Sequence, residues 1–317
     1  PLLLHLLTEV VDPHVSHEDL DARPVLVVPA TVEVVDAKNR LHVADGVLER
    51  EEVADLLGDA WGPSHAASHQ HPPAVDSIAL SALGHQVGLI DLDPRQRTVT
   101  RYMENRVETA RRRGIDLPVP DFSVFTGDST DALDDLVVEM AQGKDFLVVD
   151  TPGRDDVFAR HLAPHANTLV TPMNDSFVDF DLIGQVDPET FKVRRLSFYS
   201  ELIFDARKTR AKVDGVTIDW VVLRNRVQHH DARNKKRVGD ALMELSRRVG
   251  FRVIPGLSER VIFRELFPSG LTLLDKGHLG ELGVSHIAAR QELREMVAGF
   301  ALPTQGGAAS VDLIGAA

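Results

Sequence analysis

The 317-residue chain has no cysteine, which excludes a disulfide scaffold, a thiolate zinc site and a thiol nucleophile. No stretch approaches the ~18 consecutive apolar residues of a spanning helix. Leu2-Leu3-Leu4-His5-Leu6-Leu7 has no basic flank and is cut off by Glu9, so no signal peptide is expected there. Positive charge is also scarce: 35 Lys and Arg face 48 Asp and Glu, a net of −13. Taken alone, that balance argues against a nucleic-acid partner. What is present is an ordinary globular mixture, 43% hydrophobic and 26% charged, incompatible with wholesale disorder or a membrane bundle. The absence of thiols fits a reducing cytoplasm.

The charge is not evenly spread. Residues 1–75 hold 4 basic and 13 acidic side chains, whereas residues 192–264 hold 18 basic and 8 acidic ones. A basic block inside an acidic protein is a candidate anion-binding surface, because the local field attracts a polyanion whatever the total. The alternative is a set of solvated helix faces.

From about residue 76 the chain alternates between short apolar runs and longer amphipathic ones. The runs at 86–91, 146–150, 168–171, 218–223 and 251–254 lack polar alternation, as strands covered on both faces do. Helices are expected over 97–112, 131–140, 194–212, 232–249 and 286–300. The succession predicts an α/β fold with a doubly wound, mostly parallel sheet. Residues 1–75 read as a separate, acidic segment with a strand at 25–28, a hairpin around Lys38-Asn39-Arg40 and a helix at 49–61. Residues 62–73 read as a linker, whose His65, His69 and His71 adjoin prolines and have no acidic company, so a loop is expected rather than a metal site. Residues 304–317 read as a flexible tail.

In such a sheet the chemistry gathers beyond the carboxyl ends of the strands. Those ends here are Asp91-Leu92-Asp93, Asp150-Thr151-Pro152-Gly153, Thr171-Pro172-Met173-Asn174-Asp175, Arg224-Asn225-Arg226 and Pro255-Gly256. Acids delivered by two strands to one edge point to a Mg²⁺-dependent phosphate site, since Mg²⁺ favours carboxylates reached through water. An apolar strand ending in Asp-Thr-Pro-Gly has the form of a Walker B strand. A lone strand-terminal Asp is equally at home as a helix cap.

Several stretches carry a resemblance. Gly84 through Asp93, with Arg95-Gln96-Arg97-Thr98, resembles the second signature of ParA/MinD-type deviant-Walker ATPases, and Phe146 through Gly153 their Walker B. Thr171 through Asp181, Asp219 through Arg226, Val261 through Pro268 and Gly270 through Asp275 resemble one branch, the MipZ division-plane ATPases. The likeness covers residues 77–303, with the ATPase domain expected at 76–303. It implies that Asp93 orients the attacking water for ATP hydrolysis, that Asp150 holds Mg²⁺ through water and that Asp91 supports the metal shell. Thr151, Pro152 and Gly153 would follow the γ-phosphate, Asn225 would meet the adenine edge, and Pro255, Gly256 and Leu257 would line the base pocket. It further implies a cytoplasmic, nucleoid-associated protein that cycles between monomer and ATP-bound homodimer. Its partners would be nonspecific chromosomal DNA, ParB and FtsZ, with no membrane. The basic block then acquires a purpose. Lys192, Arg194, Arg195, Arg207, Lys208, Arg210 and Lys212 on one stretch, with Arg233 and Lys236 on the next helix, would contact DNA phosphates without reading sequence.

One motif of the family is missing. No G-x-x-x-x-G-K-[ST] occurs anywhere, and the only Gly-Lys, Gly143-Lys144, is followed by Asp145. At the expected place stand Ser64 to Pro73, ahead of a helical remnant at 77–83. Proline and neutral histidine replace neither two lysines nor a cradle of backbone N–H groups. Two readings stay open. One is a diverged, nucleotide-independent relative. The other is a change of reading frame that hides a true loop, because codons for Ala66 to His71 can spell Gly-Lys-Ser-Ser-Thr in a shifted frame. No codon choice for Ser64, His65 and Ala66 restores the family's glycine pair. If Val25–Val28 does not take the place of the family's first strand, the sheet has a gap at its centre.

Overall fold

The structure is a computed structural model describing residues 25–29, 41–43, 46–48, 72–174, 183–187, 193–225, 232–275, 277–279 and 284–302. The helix expected at 49–61, the three linker histidines, Lys192 and the tail lie outside the described residues.

In chain order the strands are β1 (Val25–Pro29), β2 (Leu41–Val43), β3 (Gly46–Leu48), β4 (Val87–Asp91), β5 (Asp121–Val124) and β6 (Phe146–Thr151). There follow β7 (Thr168–Asn174), β8 (Gly184–Val186), β9 (Val193–Leu196), β10 (Asp219–Asn225) and β11 (Arg252–Ile254). The helices are α1 (Pro72–Ala82), α2 (Thr98–Arg113), α3 (Thr130–Ala141), α4 (Val157–Leu162), α5 (Phe198–Asp214), α6 (Ala232–Val249), α7 (Val261–Leu266) and α8 (Val284–Gly299). Seven strands form one sheet in the order β11-β10-β7-β1-β6-β4-β5, each pair parallel. The doubly wound parallel sheet is therefore as expected.

Residues alternate strictly between two cores. Val87, Leu89, Phe146, Val148, Val170, Val221 and Leu223 point to one face, where α1, α2, α7 and α8 cover them. Ile90, Leu147, Val149, Leu169, Trp220 and Val222 point to the other, beneath α3, α4, α5 and α6. Both faces being apolar explains why the strands read as unbroken hydrophobic runs. β1 fills the centre, with Val25 to Pro29 in register with Leu147 to Thr151 and Leu26 and Val27 beside Thr168 and Leu169. No gap opens in the sheet.

Three expectations change. Arg194 and Arg195 lie on β9, which pairs antiparallel with β8, not on a helix. The helix begins only at Phe198, because Ser197 caps it by accepting from the Ser200 N–H. The hairpin of the head segment joins Leu41–Val43 to Gly46–Leu48, beyond Lys38-Asn39-Arg40. Finally, α1 starts at Pro72, inside the stretch read as linker; proline suits a first helical turn, where an N–H has no partner anyway. β5 was not expected at all, its Asp121 and Ser123 hiding an edge strand. No helix among the described residues is long and apolar enough to cross a membrane.

Candidate functional site

Parallel pairing brings the acids together. Asp91 is in register with Asp150, and Asp150 with Val28 of β1, so three neighbouring strands end at one point. The Leu92 N–H donates to the Asp150 carbonyl at 2.8 Å, continuing the ladder one residue past β4. All three carboxylates, Asp91, Asp93 and Asp150, are buried.

Their surroundings differ. Asp91 is fully engaged: Oδ1 accepts from the Asp93 N–H at 2.9 Å, and Oδ2 accepts from the Thr100 N–H at 3.2 Å and its Oγ1 at 2.7 Å. Burial still pushes its carboxyl up, against those hydrogen bonds. Asp91 therefore shapes the turn that carries Asp93 and ties it to α2. Asp93 Oδ1 accepts from the Arg95 and Gln96 N–H groups, each at 3.3 Å. The turn ends at Arg97, whose φ of 50° lies in the left-handed region. A non-glycine residue held there is strained, and such strain collects at functional turns. Thr100 and the strained Arg97 backbone are features that residue spacing did not single out. The fold spends Asp91 on Thr100, a helix residue nine positions away, and only the burial of both side chains makes that bond matter.

Asp150 has the opposite environment. It is 3% exposed, and its Oδ1 has no hydrogen-bond partner among the described residues. Burial pushes its carboxyl well above the ordinary carboxylate range, and the charges of Asp91 and Asp93 push it further. No basic side chain among the described residues offsets them. A carboxyl in this setting either keeps its proton or is completed by a cation. Among the described residues no group of three or more His, Asp or Glu side chains grips a metal directly. A hydrated Mg²⁺, meeting Asp150 through its waters, fits that donor set.

The triphosphate does not fit the described residues. β1 ends in Pro29, in register with Thr151, and beyond the β2–β3 hairpin the described chain resumes at Pro72. The first two residues of α1 are prolines, so two of the N–H groups that a helix start would aim at phosphate are absent. Further along α1, Asp76 is 2% exposed and neither carboxyl oxygen has a partner among the described residues; burial pushes it well up.

The remaining predicted residues fall around the same edge. Thr151 and Pro152 are buried and Gly153 half-buried, and Asp156 caps α4 by accepting from the Phe158 and Ala159 N–H groups. Asn225 ends β10 beside Asn174 and is buried. Gly256 sits so close to β10 that a Cβ there would lie 1.3 Å from the Arg224 carbonyl oxygen. Only glycine permits this approach, and it locks the Pro255-Gly256-Leu257 turn beside Asn225.

The basic block divides. Arg194 and Arg195 are exposed on β9, with Arg194 paired to Asp187. Lys208 is exposed and meets Asp205 at 3.0 Å; Lys212 is exposed at the end of α5. Arg210 donates to the His165 carbonyl at 3.0 Å. Arg207 turns inward: its Nε donates to the Ile218 carbonyl at 3.1 Å and its guanidinium lies over Trp220. Burial lowers its affinity for its proton, and the ring contact holds its guanidinium against the core. The side chains of Arg233 and Lys236 lie outside the described residues.

A family model described as ATPase MipZ matches residues 71–304. The chain is also similar to solved structures of the same architecture. The MinD cell division protein of Aquifex aeolicus is 14% identical with a TM-score of 0.48, covering 86% of this chain and 94% of that one. A ParA family ATPase from Chlorobium tepidum TLS is 12% identical with a TM-score of 0.46, covering 87% and 97%. The septum site-determining protein MinD from Pyrococcus horikoshii OT3, complexed with Mg-ADP, is 10% identical with a TM-score of 0.43, covering 86% and 94%. No curated protein matches the chain.

Proposed function

The chain belongs to the MipZ family of ATPases, and on that premise we propose that it is a spatial regulator of bacterial cell division that associates with chromosomal DNA and ParB and restrains FtsZ assembly. The observation that supports it best is the coincidence of the family match with the acid edge. The matched residues 71–304 contain Asp91, Asp93 and Asp150, converged by strand register with one oxygen left open. In this reading Asp150 holds the water shell of Mg²⁺, Asp91 fixes the turn, and Asp93 holds a water in place. Bound Mg²⁺ supplies charge neutralisation for phosphate. DNA contacts fall to Arg194, Arg195, Lys208 and Lys212, the exposed part of the basic block, and are phosphate-directed.

A second reading, a nucleotide-independent relative that keeps the DNA and partner contacts, is favoured by the proline start of α1 and the absence of a Gly-Lys-Ser/Thr loop. A titration of ATP with Mg²⁺, followed by a nucleotide analogue's fluorescence, separates them. Saturable binding in the micromolar range supports an ATPase that cycles between monomer and ATP-bound homodimer. No binding at millimolar ATP removes the cycle and leaves the binder. Sequencing the coding DNA across codons 55–80 tests the frame reading: an uninterrupted frame with no loop in either phase ends it.

A further inference from the structure

Helix α8 carries His286, Arg290 and Arg294 at successive steps of four residues, which places them along one flank of the helix. Its apolar face, formed by Ala289, Leu293, Met296 and Val297, packs into the core beside them. The opposite flank belongs to Glu292, which accepts from Ser258 Oγ at 2.9 Å and from Arg260 Nη2 at 2.6 Å.

Three buried or partly buried arginines elsewhere in the molecule are paired with acids. Arg106 meets Asp275, Arg252 meets Asp219, and Arg260 meets Glu292. Arg290 and Arg294 break this pattern. The Nε of each, and Nδ1 of His286, is enclosed without an acceptor among the described residues, and neither guanidinium has an ion-pair partner there. The two cations also burden each other: burial and the neighbouring Arg294 charge make Arg290 hold its proton less firmly than usual. The acids on the same helix are spent, Glu292 on Arg260 and Ser258, and Glu295 as the acceptor of Gln291 Nε2 at 3.0 Å. One large apolar side chain, Ile287, stands 60% exposed beside the strip.

We propose that the His286–Arg290–Arg294 strip of α8 is a docking surface for an acidic peptide segment of a partner protein. With their Nε atoms enclosed, the two guanidinium groups would meet a carboxylate bidentately through their terminal nitrogens, and the four-residue step matches carboxylates at helical spacing. Exposed Ile287 adds an apolar contact that a peptide side chain satisfies and a phosphate backbone does not. The strip is narrow, with the Glu295 carboxylate exposed near it, which suits a single chain better than the broad charged surface of a duplex. It also lies on the sheet face opposite α5, so the two anionic partners need not compete. This docking requires no nucleotide and stands apart from the ATP question.

The test uses the full chain and a fluorescein-labelled peptide of repeated Glu-Glu-Leu units, read by fluorescence anisotropy at low salt. Saturable binding is expected, weakened about tenfold or more by Arg290→Glu with Arg294→Glu. The paired Arg→Lys variant, which keeps charge and removes the bidentate edge, should bind with intermediate affinity and keep the parent melting curve. Ile287→Ser should weaken binding by a smaller factor. Failure of the parent to bind, or equal binding by the paired Glu variant, overturns the proposal. So does loss of mixed-sequence duplex DNA instead of peptide in that variant, which would make the strip a nucleic-acid contact.

Discussion

Two buried charge clusters in this molecule are opposites. In the first, Arg106 is 0% exposed, yet four of its five N–H groups are used: Nη1 and Nη2 reach Asp275 at 2.8 and 2.7 Å, Nη1 also reaches the Gly270 carbonyl, and Nε the Pro118 carbonyl. Asp275 in turn accepts from the Thr272 N–H at 2.7 Å. Gly270, with φ of 60°, lets this segment lie against the Arg106 backbone, where a Cβ would come within 2.3 Å of its nitrogen. In the second, Asp150 is as deeply buried, is surrounded by like charge and keeps an open oxygen. A saturated buried pair is architecture: it fixes α2 against the 270–275 segment and has nothing left to offer. An unsaturated buried acid costs stability and is open to completion by a proton or a cation.

The contrast can be broken or sharpened by experiment. Arg106→Ala strands the Asp275 carboxylate and should cost ~3–5 kcal/mol in a urea melt; a parent-like melt would show that the pair holds nothing. Gly256→Ala drives the Pro255-Gly256-Leu257 turn off β10 and should cost roughly 1–3 kcal/mol by the same measurement. Asp150→Asn should act in the other direction, raising the stability of the metal-free protein by ~1–2 kcal/mol at neutral pH while abolishing any rise in Tm produced by Mg²⁺. The sign of its pH dependence follows from the raised carboxyl. The native state holds the proton where the unfolded chain has lost it, so this group's contribution to parent stability is greatest in acid and declines as pH rises above about 4. The advantage of the Asn variant should therefore shrink as pH is lowered through that value, in melts at a series of pH values. Asp76→Leu should show the same pH trend with no Mg²⁺ effect, which separates Asp150, the metal residue of the proposed reading, from an acid that reading does not use. Arg111→Ala, which removes a solvent-exposed pair with Glu108, should leave the melt unchanged within error.

How far the residues alone disclosed this depends on the range of the interaction. The strands over 87–91, 146–151 and 168–174 were legible because burial on both faces leaves an uninterrupted apolar signature, and the acids at their ends followed from parallel register. The family was legible from motif order. Arg106–Asp275 was not, since two charged residues far apart carry no local mark of being mutually buried. The inward turn of Arg207 was equally hidden: a block of cations looks uniform until Trp220 and the Ile218 carbonyl take one of them out. β9 read as helix because Val193-Arg194-Arg195-Leu196 has no turn residue before Ser197, and pairing with β8, rather than propensity, decides its state.

The position of β1 has a consequence for synthesis. Its apolar core, Val25-Leu26-Val27-Val28, leaves the ribosome early, but the strands on either side of it are made roughly 120 and 140 residues later. Until β6 and β7 arrive, the nascent chain carries an unpaired hydrophobic strand with both edges open, which is what chaperones bind and what neighbouring copies pair with. Yield of this protein is thus expected to depend on elongation rate and temperature more than on the stability of the finished sheet.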